Sequence, residues 1–247
     1  MNEENIKRLE SISERTWYRT LSDQVGLSWV EKKRQKFNSD TLPVKENLLS
    51  NKAEHLIERD CQTNIGESNP WGFKMDVPEK KFNLGEVYNL SIKAGTLTNE
   101  ERFIINDHII QTIIMLDKLP FPNHLKDVPE IAGNHHEKMD GTGYPRKLTS
   151  SEMSIPARIM AIADIFEALT ASDRPYKEAK SLSESLKIMK FMAKDQHIDK
   201  NLFEVFLKSG TYLTYAQRFL DASQIDKVNI EDYLEAPESE SVEKHES

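Results

Sequence analysis

The chain alternates between stretches with a clear apolar period and one long stretch with none. Ile6, Leu9, Ile12, Trp17 and Leu21 recur at helical spacing over residues 3–24, and Ser28 with Glu31 forms a capping box that opens a short basic helix. Residues 37–96 then mix Pro43, Pro70, Pro78, Gly66, Gly72, Gly85 and Gly95 with Asn and Ser, and no period survives. The signal returns at Thr98, which makes a second capping box with Glu101. Phe103, Ile104, His108, Thr112, Ile113 and Leu116 follow on one helical face, ended by Pro120. Residues 128–136 read as a short helix ending in His135 and His136, with a glycine-rich turn over 140–145. Ile155, Ile159, Ile162, Ile165, Phe166 and Leu169 predict a helix apolar nearly all round. Ser181 with Glu184 starts another, and Asp199 caps a last one that stops at Gly210. The predicted fold class is all-α, a helical bundle preceded by an extended, irregular connector. The expected divisions are an N-terminal helical segment (1–36), the connector (37–96), a helical core (97–225) and an acidic, disordered tail (226–247).

Composition narrows the function classes. The chain has 247 residues, 38% of them hydrophobic, with 33 Lys+Arg against 41 Asp+Glu for a formal charge of −8. Residues 226–247 alone carry −6, so the body is near neutral and lacks the basic field of a protein that binds nucleic-acid polymers. No apolar run reaches the roughly 18 residues of a membrane span, and the polar start does not resemble a signal peptide. Cys61, the single cysteine, rules out an internal disulfide. A cytoplasmic protein is expected.

The candidate chemistry starts from Asp164, a carboxylate flanked by Ala161, Ile162, Ala163, Ile165 and Phe166. Burying it is costly unless it is paired or binds a metal. A salt bridge to Arg158 or Arg174 is one reading and a metal site the other. His108, on the apolar face of its helix, and the pair His135 and His136 favour the metal. Imidazole with carboxylate suits Fe, Mn, Zn or Ni rather than Ca or Mg. Adjacent histidines on a regular helix point about 100° apart, so they would serve two metals more easily than one. The bland reading fits the rest. His124 and His245 are expected in solvent, His197 is a candidate cap of the last helix, His55 has no assigned role, the methionines fill the core, and Trp17, Trp29 and Trp71 are packing anchors.

The run His135-His136-Glu137-Lys138-Met139-Asp140-Gly141-Thr142-Gly143-Tyr144-Pro145 resembles the HHExxDGxGYP signature of the HD-GYP family. The segment Ala157–Leu169 around Asp164, with Asp173 to Lys177, is similar to that family's next block, and Leu97, Thr98, Glu100, Glu101 and His108 to its preceding one. The resemblance covers about residues 90–215. It implies a helical HD-superfamily bundle and a metal-dependent phosphodiesterase that hydrolyses cyclic di-GMP or a related cyclic dinucleotide in bacterial signalling. It implies His108, His135, His136 and Asp164 as ligands of a divalent metal, a pair of Fe or Mn ions where the site is complete. No side chain is assigned as nucleophile, a metal-activated water being expected. Arg174 and Lys177 would contact phosphates, although one extra residue separates them from Asp164. The loop of Asp140, Gly141, Gly143, Tyr144 and Pro145 lies beside the site. Gly141 and Gly143 supply positive φ there, and Pro145 stiffens the exit.

The family's His-Asp pair, followed three residues later by Lys, has no counterpart in the window Phe73–Phe82, and His55 is followed by Leu56. Residues 10–105 look like the insertion that separates the His-Asp helix from the rest in some larger HD-GYP proteins. The chain is therefore expected to be the C-terminal portion of such a protein. Its expected partners are a sensory or His-Asp-bearing segment, a GGDEF-type protein or a second copy in a dimer. Loss of a packed helix would expose apolar faces on 103–116 and 155–169. Three readings stay open: a cyclic dinucleotide phosphodiesterase, a degenerate or split module that acts by protein–protein interaction, and a nucleotide phosphohydrolase of the wider HD group.

Overall fold

The computed structural model describes residues 2–34, 41–59, 65, 69–93, 95–172 and 179–234. The described residues are mainly helical, as the pattern predicts. They form two compact units, Met1–Pro70 with Asp76–His108, and Trp71–Met75 with Ile109–Ser247.

In the first unit, Asn2 caps α1 (Glu3–Ser13) by accepting from the amide of Asn5 at 2.8 Å. The helix stops well short of residue 24. Thr16–Arg19 is instead a strand, β1, since a run of Thr, Trp and Tyr favours extended backbone when a partner strand is at hand. α2 spans Trp29–Arg34 behind the expected Ser28–Glu31 capping box. The partner strand is β2 (Val44–Asn47), antiparallel, with Thr16 opposite Asn47 and Arg19 opposite Val44. β3 (Leu56–Glu58) pairs antiparallel with β4 (Lys80–Asn83), and α3 covers Glu86–Leu90. The connector thus holds strands that its sequence pattern does not reveal, because each is only three or four residues long. Trp17 and Trp29 are 46% and 69% exposed, so they are not the expected packing anchors. Lys33 instead lies over the Trp29 ring, 3.7 Å from its centroid.

α4 (Asn99–Asp117) opens on the Thr98–Glu101 capping box and runs unbroken across the boundary between the units. Its buried apolar positions are Phe103, Ile109, Ile110 and Ile113, whereas Ile104, Ile105 and Met115 are exposed. His108 lies on the exposed side, not among the buried residues.

The second unit holds α5 (Val128–Gly133), α6 (Ile155–Thr170), α7 (Leu182–Lys194), α8 (Lys200–Lys208) and α9 (Thr211–Phe219). The predicted caps are present. Ser181 and Glu184 bond reciprocally, Asp199 accepts from Leu202, and Gly210 adopts φ +71° between α8 and α9. Ile162, Phe166, Leu182, Leu186, Met189, Ile198, Phe203, Leu207 and Tyr212 form the core. Phe166 meets Phe206 and Tyr215 edge-on, at 5.1 and 5.5 Å between centroids. Not every apolar position of α6 is used. Ile155, Ile159 and Met160 are 55%, 50% and 43% exposed, against 3% for Ile162.

Candidate metal centre

Three of the four expected ligands come together. One ring nitrogen from each of His108, His135 and His136 forms a group whose members all lie within 4.8 Å of one another. His108 sits on α4, on the same unbroken helix as Ile109–Asp117.

The sequence pattern places His135 and His136 at the end of a helix. α5 in fact stops at Gly133, and the pair occupies a turn beyond it. This resolves the difficulty with adjacent ligands, since a turn does not impose the fixed rotation of a helix. The two rings are 4.0 Å apart between centroids, tilted by 47°.

The ring orientation suits a metal. Nδ1 of His108 lies 2.6 Å from the carbonyl oxygen of Ile105, and Nδ1 of His135 lies 2.7 Å from that of Ala132. A carbonyl can only accept, so in each neutral ring Nδ1 carries the proton and Nε2 is the nitrogen that bears the lone pair. Backbone carbonyls that fix the tautomer in this way are the usual support of metal-binding imidazoles. Three imidazoles fit a first-row transition metal better than Ca or Mg.

Asp164 is half-buried on α6 and does not belong to the histidine group. Arg158 is engaged by Asp199 at 2.6 Å, which leaves Arg158 poorly placed to serve as the partner first considered for Asp164. The Asp164 charge is felt at Tyr144. Burial, chiefly, and this carboxylate push the Tyr144 phenol above its ordinary pKa. The Tyr144 ring stacks on His136 at 4.9 Å, which brings the edge of the glycine loop onto the site. Arg174 and Lys177 lie outside the described residues.

The loop is built by different devices at its two glycines. Gly141 adopts φ +79°, as expected. Gly143 does not. It is required because a Cβ there would lie 2.4 Å from the amide nitrogen of Lys138 and 2.5 Å from the Cα of Glu137. Asp140 accepts from the amide and hydroxyl of Thr142 at 2.9 and 2.8 Å, and the amide bond above all lowers its pKa. Pro145 is buried, and its carbonyl accepts from the amide of Lys74 at 2.7 Å.

Residues given no role from the sequence hold this arrangement. Glu137 and Asn134 are each 1% exposed. Glu137 accepts from the amides of Arg146 and Leu148 at 2.6 and 2.9 Å. Burial is the larger influence on its pKa, which is raised despite those bonds. Half-buried His197 lies in the charge environment of Lys138 and Asp140, and burial first, then Lys138, lowers its pKa. The cap of α8 is Asp199, not His197. The one readable signal for this network was a glutamate immediately after the histidine pair.

A family model described as HD domain matches residues 43–202. The chain is 38% identical over 118 residues to 3'3'-cGAMP-specific phosphodiesterase 1 of Vibrio cholerae, covering 48% of this chain and 26% of that protein. It is 32% identical over 156 residues to a cyclic di-GMP phosphodiesterase of Pseudomonas aeruginosa, covering 63% and 34%. A cyclic di-GMP phosphodiesterase of Thermotoga maritima is 36% identical over 127 residues, covering 51% and 34%. The chain therefore spans between about a quarter and a third of the length of these relatives. With its matched segment running through the histidine group and the glycine loop, the chain belongs to the HD domain family and is related to the HD-GYP proteins.

Proposed function

We propose that the chain provides the metal-binding site of a phosphohydrolase that opens a cyclic dinucleotide, cyclic di-GMP or 3'3'-cGAMP, to its linear form. The observation that carries this reading is the group of three imidazoles with two Nε2 lone pairs fixed by backbone carbonyls. His108, His135 and His136 would hold the metal, an ion of the Fe or Mn type, with the Asp164 carboxylate completing the set. A divalent ion there supplies charge to polarise a phosphoester and to activate a water. Tyr144, stacked on His136, limits the tilt of that ring. Arg174 and Lys177 would steady the phosphates. Two metals, as in the HD-GYP resemblance, would need carboxylate ligands beyond Asp164.

The test uses the purified chain loaded with Mn²⁺ or Fe²⁺ and offered cyclic di-GMP, 3'3'-cGAMP or a nucleoside triphosphate. Hydrolysis of a cyclic dinucleotide, abolished in His135→Ala, is the expected result. Turnover of the triphosphate alone would replace this reading by a nucleotide phosphohydrolase. A metal-loaded chain inert on all three would favour the second reading, a module that acts by protein–protein interaction. That reading draws on the exposed Ile155, Ile159 and Met160 of α6. Partners of the GGDEF type, or a second copy of the chain, belong to it.

A further inference from the structure

The histidine pair is bracketed in sequence by two buried polar residues, and both are bonded to the same residue, one by its side chain and the other by its backbone amide. Asn134 precedes the pair and Glu137 follows it, each 1% exposed. Arg146 Nη1 donates to Asn134 Oδ1 at 3.0 Å, and the Arg146 amide donates to Glu137 Oε1 at 2.6 Å. Arg146 Nε donates to the carbonyl of Trp71 at 2.9 Å. That carbonyl belongs to the strap Trp71–Met75, whose Phe73 is 4% exposed. The strap is pinned to the same unit twice more, by the Lys74 amide on the Pro145 carbonyl at 2.7 Å and by Trp71 Nε1 on Asp117 at 3.3 Å.

The network continues beyond Arg146. Asn134 Nδ2 donates to Glu130 at 3.0 Å, and Glu130 accepts from the hydroxyl of Ser154 at 2.8 Å. Ser154 is the N-cap of α6, the helix that carries Asp164. Glu137, Glu130 and Asp117 are the carboxylates whose charges act on Arg146.

We infer that Arg146 is a positioning residue for the metal-binding histidines: its guanidinium fixes the Asn134 end of the four-residue turn 134–137 and ties it to the strap at Trp71, while its backbone amide holds the Glu137 end. The inference rests on the reading of His108, His135 and His136 as a metal site and adds what holds that site in shape. A guanidinium suits the task because its planar fork donates in two fixed directions at once, here to a side-chain amide and to a backbone carbonyl. An ammonium is a single point of charge. Lysine at 146 would keep the positive charge among the three carboxylates and keep the backbone bond to Glu137. It could not span Asn134 Oδ1 and the Trp71 carbonyl together.

That difference separates positioning from mere stability. Arg146→Lys and Arg146→Ala are compared with the wild-type chain in two measurements: thermal unfolding without metal, and calorimetric titration with Mn²⁺. The expected result is that Arg146→Lys unfolds near the wild-type temperature while its Mn²⁺ affinity falls roughly 10- to 100-fold, the usual range for lost support of a metal ligand. Arg146→Ala should lose both. If Arg146→Lys does not fold, Asn134→Ala decides, since it removes one acceptor of the fork and leaves the arginine in place. A folded Arg146→Lys or Asn134→Ala that binds Mn²⁺ as tightly as wild type overturns the inference and leaves the metal site standing. A wild-type chain that binds no Mn²⁺ overturns the metal site itself, and this inference with it.

Discussion

At the scale of single residues, two side chains sit in states that their chemistry disfavours, and both give measurable consequences. Lys147 holds φ +56° directly after the buried Arg146 bond. A side chain in that conformation costs about 1–2 kcal/mol, while glycine pays about 0.5–1 kcal/mol in chain entropy. The amide of Lys147 helps to hold the Glu137 carboxylate, and glycine would retain it. Lys147→Gly should therefore stabilise the chain by roughly 0.5 kcal/mol or slightly more in denaturant unfolding. His197 is the second case. Its pKa is lowered in the folded chain, so below the ordinary value of 6.5 the unfolded chain binds a proton that the folded one resists. Stability owed to neutral His197 is complete above that value and is lost as pH falls from 6.5 toward the lowered pKa. Melting temperatures between pH 7.5 and 5.5 should fall more steeply for the wild type than for His197→Gln. Parallel curves would show that His197 carries no such linkage.

At the scale of elements, the helices divide by how much of their apolar surface is in use. α6 buries Ile162 and Phe166 but leaves Ile155, Ile159 and Met160 exposed. Phe166→Ala should cost about 3–5 kcal/mol, since the ring meets Phe206 and Tyr215 and its loss leaves a cavity. Ile159→Ser should stay within about 0.5 kcal/mol, a surface change at a side chain that is 50% exposed. Chemical denaturation of the two variants checks both, and a large cost at Ile159 would mean that the exposed face is covered in solution. The same division explains what was readable from periodicity. Capping boxes at Ser28, Thr98 and Ser181 were legible because each needs only two residues at fixed spacing. β1 was not, since Trp17 fits a helical stripe and only pairing with β2 selects the strand. Nor was the end of α5, where two histidines extend the apparent helix past Gly133.

At the scale of the whole molecule, metal binding and folding are linked. An ion that binds the folded chain and not the unfolded one stabilises it by about 2.7 kcal/mol at a hundredfold excess over its Kd. The wild-type melting temperature should therefore rise by several degrees on adding Mn²⁺ to chelator-treated chain, and His136→Ala should abolish the rise. An equal rise in both would place the ion elsewhere. Among the described residues no helix is long and apolar enough to cross a membrane. The near-neutral body with an acidic tail suits a small anionic ligand held by local groups rather than a polymer.

The sequence by itself determined the helical class, most of the caps, and the identity of the histidines and the glycine loop. These depend on local spacing or on the chemistry of a few side chains. Only the tertiary structure decided that His135 and His136 leave the helix, that they converge with His108, and that Asp164 stands outside their group while its charge reaches Tyr144. It alone revealed Arg146 and the strap at Trp71, two residues 75 positions apart in sequence. Their bond is not written in any local period, because a buried polar network is specified by which groups fold against one another.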